Sequence, residues 1–212
     1  MSGGQVRNNP VFRRFADIFL SMTGLLITAP LLIFIALAIK AEDGGPVLFR
    51  QERIGRFGRR FILLKFRSMS VVQNPVKQDF EPGNKSRITK TGAIIRKTKL
   101  DELPQLINIL CGSMSFVGPR PEVEYWVAKY PDRWKLIHQV RPGLTDNASL
   151  EFRNEEEILA QSSDPEKEYE EIILPRKLDL YEDYVKNNSF VTDIKIIFLT
   201  IYALVTGKSF TK

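Results

Sequence analysis

Residues 18–39 read IFLSMTGLLITAPLLIFIALAI, an uncharged stretch of twenty-two residues near the start of the 212-residue chain. About twenty consecutive apolar residues in a helix reach across the hydrocarbon core of a bilayer. The stretch therefore predicts a membrane segment, and it is too long for the apolar part of a secretory signal peptide. We assign residues 1–40 to a basic segment and membrane helix, and residues 41–212 to a domain at the cytoplasmic face.

Both flanks of the apolar stretch are basic. The flanking residues are Arg7, Arg13 and Arg14 before it and Lys40, Arg50, Arg53, Arg56, Arg59 and Arg60 after it. Because basic residues mark the cytoplasmic side, this symmetry favours a segment that enters the bilayer and returns to the same face. Pro30, after Ala29, lacks a backbone donor and predicts a bend near the middle. A single span kinked at Pro30 is the alternative.

Asp17 lies at the edge of the apolar stretch. It is either a simple interfacial residue or an anchor of the bend that acts through Arg14.

Composition limits the possible chemistry. The net charge of +6 suits a negatively charged partner, which is anionic lipid, nucleic acid or a phosphorylated small molecule. One cysteine and one histidine exclude a disulfide framework and a zinc site built from Cys/His clusters. A metal, if one is used, should have oxygen ligands, and Mg²⁺ is the expected ion.

A β-hairpin and a loop are predicted after the membrane segment. Two strand-like runs, PVLFRQERIG and RFILLKFRSM, are separated by a turn that contains Gly55 and Gly58. Residues 70–86 lack apolar periodicity and hold two prolines, which is typical of a surface loop.

An acidic pair precedes the next apolar pattern. Apolar residues recur at helical spacing from Thr91 to Leu110, and Pro104 is tolerated only in a first turn, so a helix should begin near residues 100–103. Asp101 and Glu102 then lie at the start of that helix. Carboxylates there also complement the helix dipole, so the position alone does not establish a chemical role.

Two arginines stand in rigid turns made of proline and glycine. Arg120 lies between Pro119 and Pro121, and Arg141 precedes Pro142. A guanidinium group binds oxyanions through two parallel hydrogen bonds, and a preorganised one loses less entropy on binding. The pattern favours phosphate recognition, although structural turns with solvated arginines are the commoner explanation for either one alone.

The last third of the chain should be helical. Residues 151–186 predict amphipathic helices that form a solvated peripheral element, and residues 190–205 predict an interfacial helix lying on the bilayer, with a core helix as the alternative. The predicted fold class is therefore α+β and mainly α: a Pro-broken membrane helix, a small β-hairpin and interfacial helices around a cytoplasmic core.

Five motifs together resemble a known family. They are RRFAD before the apolar stretch, LKFRSM, LDELPQL, SMSFVGPRP and VRPGLT, in this order between about Phe12 and Val205. The chain resembles the bacterial sugar transferases, the monotopic polyprenyl-phosphate phosphoglycosyl transferases of glycoconjugate assembly. The resemblance implies a re-entrant helix in the bacterial cytoplasmic membrane, facing the cytoplasm. It also implies transfer of a phospho-sugar from a UDP-sugar to polyprenyl phosphate, with release of UMP.

The resemblance also implies roles for individual residues. Asp101 would attack the β-phosphate and form a phosphosugar-aspartyl ester, which polyprenyl phosphate then attacks. Glu102 would help to hold Mg²⁺ or assist the acceptor, and both carboxylates are candidate metal ligands. The residues that would bind substrate are Lys65, Arg67, Arg96, Pro119, Arg120 and Arg141.

The chain departs from the family pattern at two places. The family's bend is often Ser-Pro, whereas this chain has Ala29-Pro30, and the expected Gly-Trp-Ala-Gln after the RPG motif is replaced by residues 146–149, DNAS. The identity of the sugar therefore does not carry over. The acidic segment 151–171 has no assigned role, and homo-oligomerisation stays open.

Two other classes of function are weighed against the enzyme. A non-enzymatic membrane-bound binding or scaffold protein would use the basic face only to hold anionic lipid. A membrane-tethered nucleic-acid binder rests on net charge alone, because no stacking motif or recognition helix accompanies the basic runs. No nucleic-acid partner is therefore predicted.

Overall fold

A computed structural model describes residues 10–71 and 87–207 of the chain. The ten helices in this part are α1 (Pro10–Asp43), α2 (Lys90–Lys97), α3 (Gln105–Cys111), α4 (Glu124–Lys129), α5 (Pro131–Ile137), α6 (Asn147–Glu151), α7 (Glu155–Gln161), α8 (Pro165–Glu168), α9 (Leu174–Asn187) and α10 (Phe190–Thr206). The strands are β1 (Leu48–Ile54), β2 (Arg60–Phe66), β3 (Ser115–Val117) and β4 (Gly143–Thr145). The prediction of a mainly helical fold with small sheets is confirmed. Most of the loop predicted at residues 70–86 lies outside the described residues.

Helix α1 contains the whole apolar stretch. It has 34 residues, a length of about 50 Å, and it is long and apolar enough to cross a membrane. The helix continues through Pro30, so it is not broken there, whereas the bend at Pro30 and re-entry into the membrane stay predictions. Its side chains at residues 26–34 are largely exposed and apolar.

Both ends of α1 pack on the same body. Near its start, Arg14 donates to the carbonyls of Ile109 and Leu110 at the end of α3, and near its end, Ile35 and Ile39 are buried against Phe66 of β2. Most side chains between these contacts, at residues 26–34, are exposed, although Leu32 packs against the same cluster as Ile35.

The β-hairpin confirms the prediction for residues 46–69. Strands β1 and β2 pair antiparallel, with Arg53 opposite Phe61 and Phe49 opposite Lys65. Successive side chains alternate between the two faces, so Arg53 and Lys65 point to the same face of the hairpin.

A parallel pair of short strands, not predicted, carries both arginine turns. β3 and β4 pair with Ser115 opposite Gly143 and Val117 opposite Thr145. The contact is close, because a Cβ added to Gly118 would lie 2.4 Å from the Arg141 carbonyl oxygen. Only glycine leaves room for the backbones at this point.

We expect Gly118→Ala to lower the free energy of unfolding by more than about 2 kcal/mol, because the added methyl group meets backbone atoms that cannot move independently. Thermal unfolding of the purified protein in detergent measures the change. Gly44→Ala is the matched control: nothing lies within 4 Å of its added Cβ, and only its φ of 69° is unfavourable, which costs about 1 kcal/mol. If Gly118→Ala and Gly44→Ala lowered the free energy of unfolding equally, the β3 and β4 backbones would not be in the close contact described.

The largest hydrophobic cluster is built by the C-terminal helices. Trp126 and Trp134 of α4 and α5 are buried against Leu174, Leu178 and Tyr181 of α9. The prediction that residues 151–186 form a solvated peripheral element is therefore wrong for α9. Its buried side chains recur every three or four residues and form a continuous stripe, although charged residues surround it in the sequence.

Helix α10 confirms the helix predicted at residues 190–205. Ile196 and Ala203 are buried, whereas Val191, Phe198 and Val205 are exposed. An apolar face therefore remains uncovered, and its placement at a bilayer surface stays a prediction.

Candidate active site

The acidic pair lies in a short 3-10 turn, Leu100–Glu102, between α2 and α3. Helix α3 begins only at Gln105, so the prediction of a helix starting at residues 100–103 is wrong by a few residues. Pro104 has no N–H to donate to the carbonyl of Leu100, which prevents the α-helical pattern from starting earlier. Lys99 enters the turn in the left-handed region, with φ of 58°, a conformation unfavourable for a side chain other than glycine.

Glu102 is held by two cations. Both guanidinium ends of Arg120 donate to its two carboxylate oxygens, and Lys65 Nζ donates to Oε1 at 3.2 Å. All three side chains are mostly buried. Despite burial, the charges of Arg120 and Lys65 hold the pKa of Glu102 well below its usual range. Glu102 is therefore a fixed anion in this arrangement.

Asp101 has a different environment. Its Oδ1 is buried and has no hydrogen-bond partner among the described residues. Burial raises the pKa of Asp101, opposed by the charge of Lys65 and reinforced by that of Glu102. The Asp101 carboxylate is therefore poorly solvated, and no hydrogen bond from the described residues holds its Oδ1. Such an oxygen is available to attack an electrophile, as a nucleophile requires.

Arg53 also lies at this site, although it was not predicted from the sequence as a site residue. It shares the hairpin face of Lys65, and its charge helps to lower the pKa of the Lys65 ammonium, after burial and Arg120. Arg53 Nη1 donates to Glu122 Oε2 at 3.0 Å. The two-residue alternation along β1 and β2 was the signal available in the sequence.

Arg96 lies close to the dyad but is already paired. Its guanidinium donates to Glu156 of α7. Burial raises the pKa of Glu156, but the hydrogen bond and charge of Arg96 lower it, and the charges of Lys99 and Lys65 add to this lowering. The acidic segment 151–171 therefore places the Glu156 carboxylate beside the cations Arg96, Lys99 and Lys65.

Arg67 and Arg141 do not join this group. Arg67 is buried and pairs with Asp43 at the end of α1, and Arg141 Nε donates to the Gly112 carbonyl at 3.0 Å, at the far end of α3. Arg120 follows β3 and Arg141 precedes β4. The two turns touch, because Gly143 N donates to the Pro119 carbonyl at 3.0 Å, but the two arginine side chains reach different partners.

Arg14 and Asp17, two of the residues predicted for the membrane bend, bind the part of the protein that follows α1. Arg14 donates to the carbonyls of Ile109 and Leu110, and Asp17 Oδ1 accepts from Ser115 Oγ at 3.0 Å. No direct bond between Arg14 and Asp17 occurs among the described residues, and both lie more than a dozen residues before Pro30. Ala29 and Pro30 lie within α1 itself.

The sequence profile of the bacterial sugar transferases matches residues 8–207. The chain belongs to the bacterial sugar transferase family. An exopolysaccharide production protein of Rhizobium leguminosarum bv. phaseoli is 40% identical, in an alignment that covers 94% of this chain and 98% of that protein.

Longer relatives contain this family region as one part. A UDP-glucose:undecaprenyl-phosphate glucose-1-phosphate transferase of Klebsiella pneumoniae is 39% identical over 95% of this chain and 42% of its own length. An Aeromonas hydrophila UDP-N-acetylgalactosamine-undecaprenyl-phosphate N-acetylgalactosaminephosphotransferase is 34% identical over 96% of this chain and 47% of its length. The chain thus spans less than half of these two relatives, whose names carry different sugars.

The dyad of this sugar transferase can supply oxygen ligands to Mg²⁺. The ion is commonly held by one or two carboxylates together with substrate phosphates and water. The unpartnered, buried Oδ1 of Asp101 suits such a ligand. Glu102 is beside it, although Arg120 and Lys65 occupy its oxygens. No group of three or more candidate metal-binding side chains occurs in residues 10–71 and 87–207.

The position where this family member departs from the expected motif is Asp146. Its side chain is 1% exposed and accepts hydrogen bonds from Ser149 N at 2.8 Å and Ser149 Oγ at 2.6 Å. Burial raises the pKa of Asp146, and the charge of Arg120 opposes that rise. Arg120 is therefore attracted by two carboxylates, Glu102 and Asp146.

The sole histidine of the chain provides a test of pH dependence. His138 stacks on Trp134 with ring centroids 5.1 Å apart, and burial lowers the pKa of His138 to about 4. The unfolded chain has an ordinary pKa near 6.5. Stability from the neutral imidazole is complete above pH 6.5 and is lost as pH falls towards 4.

We expect His138→Phe to keep the stacked ring and to remove this part of the acid sensitivity. Thermal unfolding at pH 7.5 and at pH 4.5 should therefore show a smaller drop for the variant than for the unchanged protein. An identical drop in both proteins would assign the acid sensitivity to other groups.

Proposed function

We propose that this protein transfers a sugar phosphate from a UDP-sugar to polyprenyl phosphate and so begins the assembly of a membrane glycoconjugate. The observation that carries the proposal is the unequal dyad. Asp101 is buried with a free oxygen, while its neighbour Glu102 is fixed by Arg120 and Lys65. Family membership and the names of the relatives support the same class of reaction.

The reaction proceeds by two displacements at one phosphorus atom. An oxygen of Asp101 attacks the β-phosphorus of the UDP-sugar, the bond to the bridging oxygen breaks, and UMP leaves with that electron pair. A phosphate oxygen of polyprenyl phosphate then attacks the same phosphorus. The aspartyl bond breaks, the Asp101 carboxylate is restored, and a polyprenyl diphosphosugar is formed.

Cationic side chains make the first displacement feasible. A carboxylate and a diphosphate repel each other, so the attack requires compensating positive charge. Lys65, Arg120 and Arg53 provide such charge on one side of the dyad. Mg²⁺, when bound by Asp101 and Glu102 together with donor phosphate, supplies further screening of the charge.

The membrane helix brings the lipid acceptor to this site. Both ends of α1 pack on the same body, at Arg14 with the end of α3 and at Ile39 with Phe66, which supports a helix that enters and leaves by one face. The exposed apolar face of α10 supports an interfacial position. The acceptor phosphate lies at headgroup depth, so a site held at that depth reaches both the lipid and a soluble donor.

The test is UMP release by the full chain in nanodiscs with Mg²⁺ and a panel of UDP-sugars. The panel is needed because the relatives' names include glucose and N-acetylgalactosamine. At least one UDP-sugar should give continuous UMP release only when polyprenyl phosphate is present. Without the acceptor, release should stop after one turnover, and no UMP from any donor would overturn the proposal.

A further inference from the structure

A second group of cations lies at the far end of α3 from the dyad. Arg14 donates to the carbonyls of Ile109 at 2.6 Å and Leu110 at 2.7 Å. Arg141 Nε donates to the carbonyl of Gly112 at 3.0 Å. The two guanidinium groups therefore cap one helix end from different sides. Because α3 has seven residues, this end lies about 10 Å along the axis from its start.

The hairpin turn adds a third cation. Arg56 Nε donates to the Gln139 carbonyl at 3.0 Å, and Phe57 N donates to the His138 carbonyl at 2.8 Å. These bonds fix the turn against the segment that leads into Arg141. Phe57 has φ of 60° and is 64% exposed, so an aromatic ring stands in solvent beside the cluster. We call Arg14, Arg56 and Arg141 the basic cap.

The positive charge of the basic cap is poorly compensated. Its hydrogen bonds go to main-chain carbonyls, and none of the three arginines forms an ion pair with a carboxylate within residues 10–71 and 87–207. Burial and then repulsion from Arg56 and Arg14 lower the pKa of Arg141. The charge of Asp17 opposes this effect, but one carboxylate offsets at most one of the three positive charges. An anion bound here would relieve the repulsion.

The basic cap lies where the apolar helix starts. Arg14 precedes the uncharged stretch, which begins at Ile18, by four residues, or about 6 Å along the helix. Phe12 and Phe15, on the same turns, are exposed. If the apolar stretch is within the bilayer, the three guanidinium groups are at the depth of the lipid headgroups.

We infer that the basic cap binds the phosphate of an anionic phospholipid, at a site separate from the dyad. Guanidinium groups match phosphate geometry with paired hydrogen bonds, and basic residues beside a membrane segment are attracted by anionic lipid. Exposed Phe57 adds an apolar contact that a free phosphate could not use. The inference depends on membrane association and not on the proposed reaction.

The experiment is native mass spectrometry of the full chain from detergent micelles that contain equal amounts of phosphatidylglycerol and phosphatidylcholine. The unchanged protein should retain phosphatidylglycerol severalfold over phosphatidylcholine. Arg56→Gln with Arg141→Gln should bring the ratio close to one. If the double variant does not fold, Arg56→Gln alone takes its place. It removes a single hydrogen bond to a carbonyl and should reduce the ratio of phosphatidylglycerol to phosphatidylcholine partway towards one.

Arg60→Gln is the matched control, because Arg60 lies in the same hairpin but pairs with Glu52 and Glu124. It should keep the preference for phosphatidylglycerol, and so should Asp101→Asn. No preference in the unchanged protein, or an equal loss in Arg60→Gln, would overturn the inference. Displacement of the lipid by inorganic phosphate, but not by chloride at the same ionic strength, would show a free-phosphate site instead.

Discussion

Asp101→Asn is expected to reduce continuous UMP release by more than about a thousandfold, because an amide cannot form the aspartyl ester on which both displacements depend. The change keeps the size of a side chain whose Oδ1 has no hydrogen-bond partner among the described residues. Folding should therefore be preserved. The rate is measured in nanodiscs with Mg²⁺, a UDP-sugar and polyprenyl phosphate.

The matched control is Asp183→Asn, which removes an exposed carboxylate of α9 whose hydrogen bond, within the described part of the chain, comes from Asn187. It should leave the rate unchanged. Labelled sugar phosphate should also stay attached to the unchanged protein when the acceptor is omitted, and it should not attach to Asp101→Asn. Full activity of Asp101→Asn would favour a non-enzymatic scaffold. Labelling of Asp101→Asn but not of Glu102→Gln would make Glu102 the nucleophile.

The sequence predicts those parts of the site that depend on local pattern. An uncharged run of twenty-two residues specifies α1, and alternating strands with Gly55 and Gly58 between them specify the hairpin. The position of the acidic pair just before Pro104 also follows from the sequence. These features are predictable because each depends on a few neighbouring residues and on one physical rule.

The choice between the two arginine turns could not be predicted. Arg120 and Arg141 have the same local setting of proline and glycine, yet only Arg120 reaches Glu102. β3 and β4, with just two residue pairs in register, hold the two turns together, and the difference arises from the distant segments that each side chain meets: the Leu100–Glu102 turn for Arg120 and the end of α3 for Arg141. Strands of three residues leave no periodic signal long enough to identify.

The peripheral helix predicted for residues 151–186 was wrong for a related reason. Leu174, Leu178, Tyr181 and Tyr184 form one buried side of α9, but charged residues fill the positions between them. Charge content describes the exposed side of such a helix, whereas the spacing of its apolar residues determines whether it is buried.

Arg120→Gln is expected to lower both the stability of the protein and the rate of UMP release. The free energy of unfolding should fall by about 3 kcal/mol, because the mostly buried carboxylate of Glu102 would keep only Lys65. UMP release should fall by about a hundredfold or more, since a cation that offsets the donor's charge is lost. Arg120→Lys should recover part of the stability but little of the rate, because an ammonium group cannot hold both carboxylate oxygens.

Combining Arg120→Gln with Glu102→Gln separates the two effects. With both charges removed, Glu102 is no longer left as an unpaired anion, but Lys65 loses its ion pair and buried Asp146 loses the charge of Arg120, so the thermal midpoint should recover only part of the loss. The rate should stay low, because the restored fold still lacks the cation and the second carboxylate. A double variant that regains activity along with stability would mean that Arg120 and Glu102 only support the fold, and that Asp101 works without them.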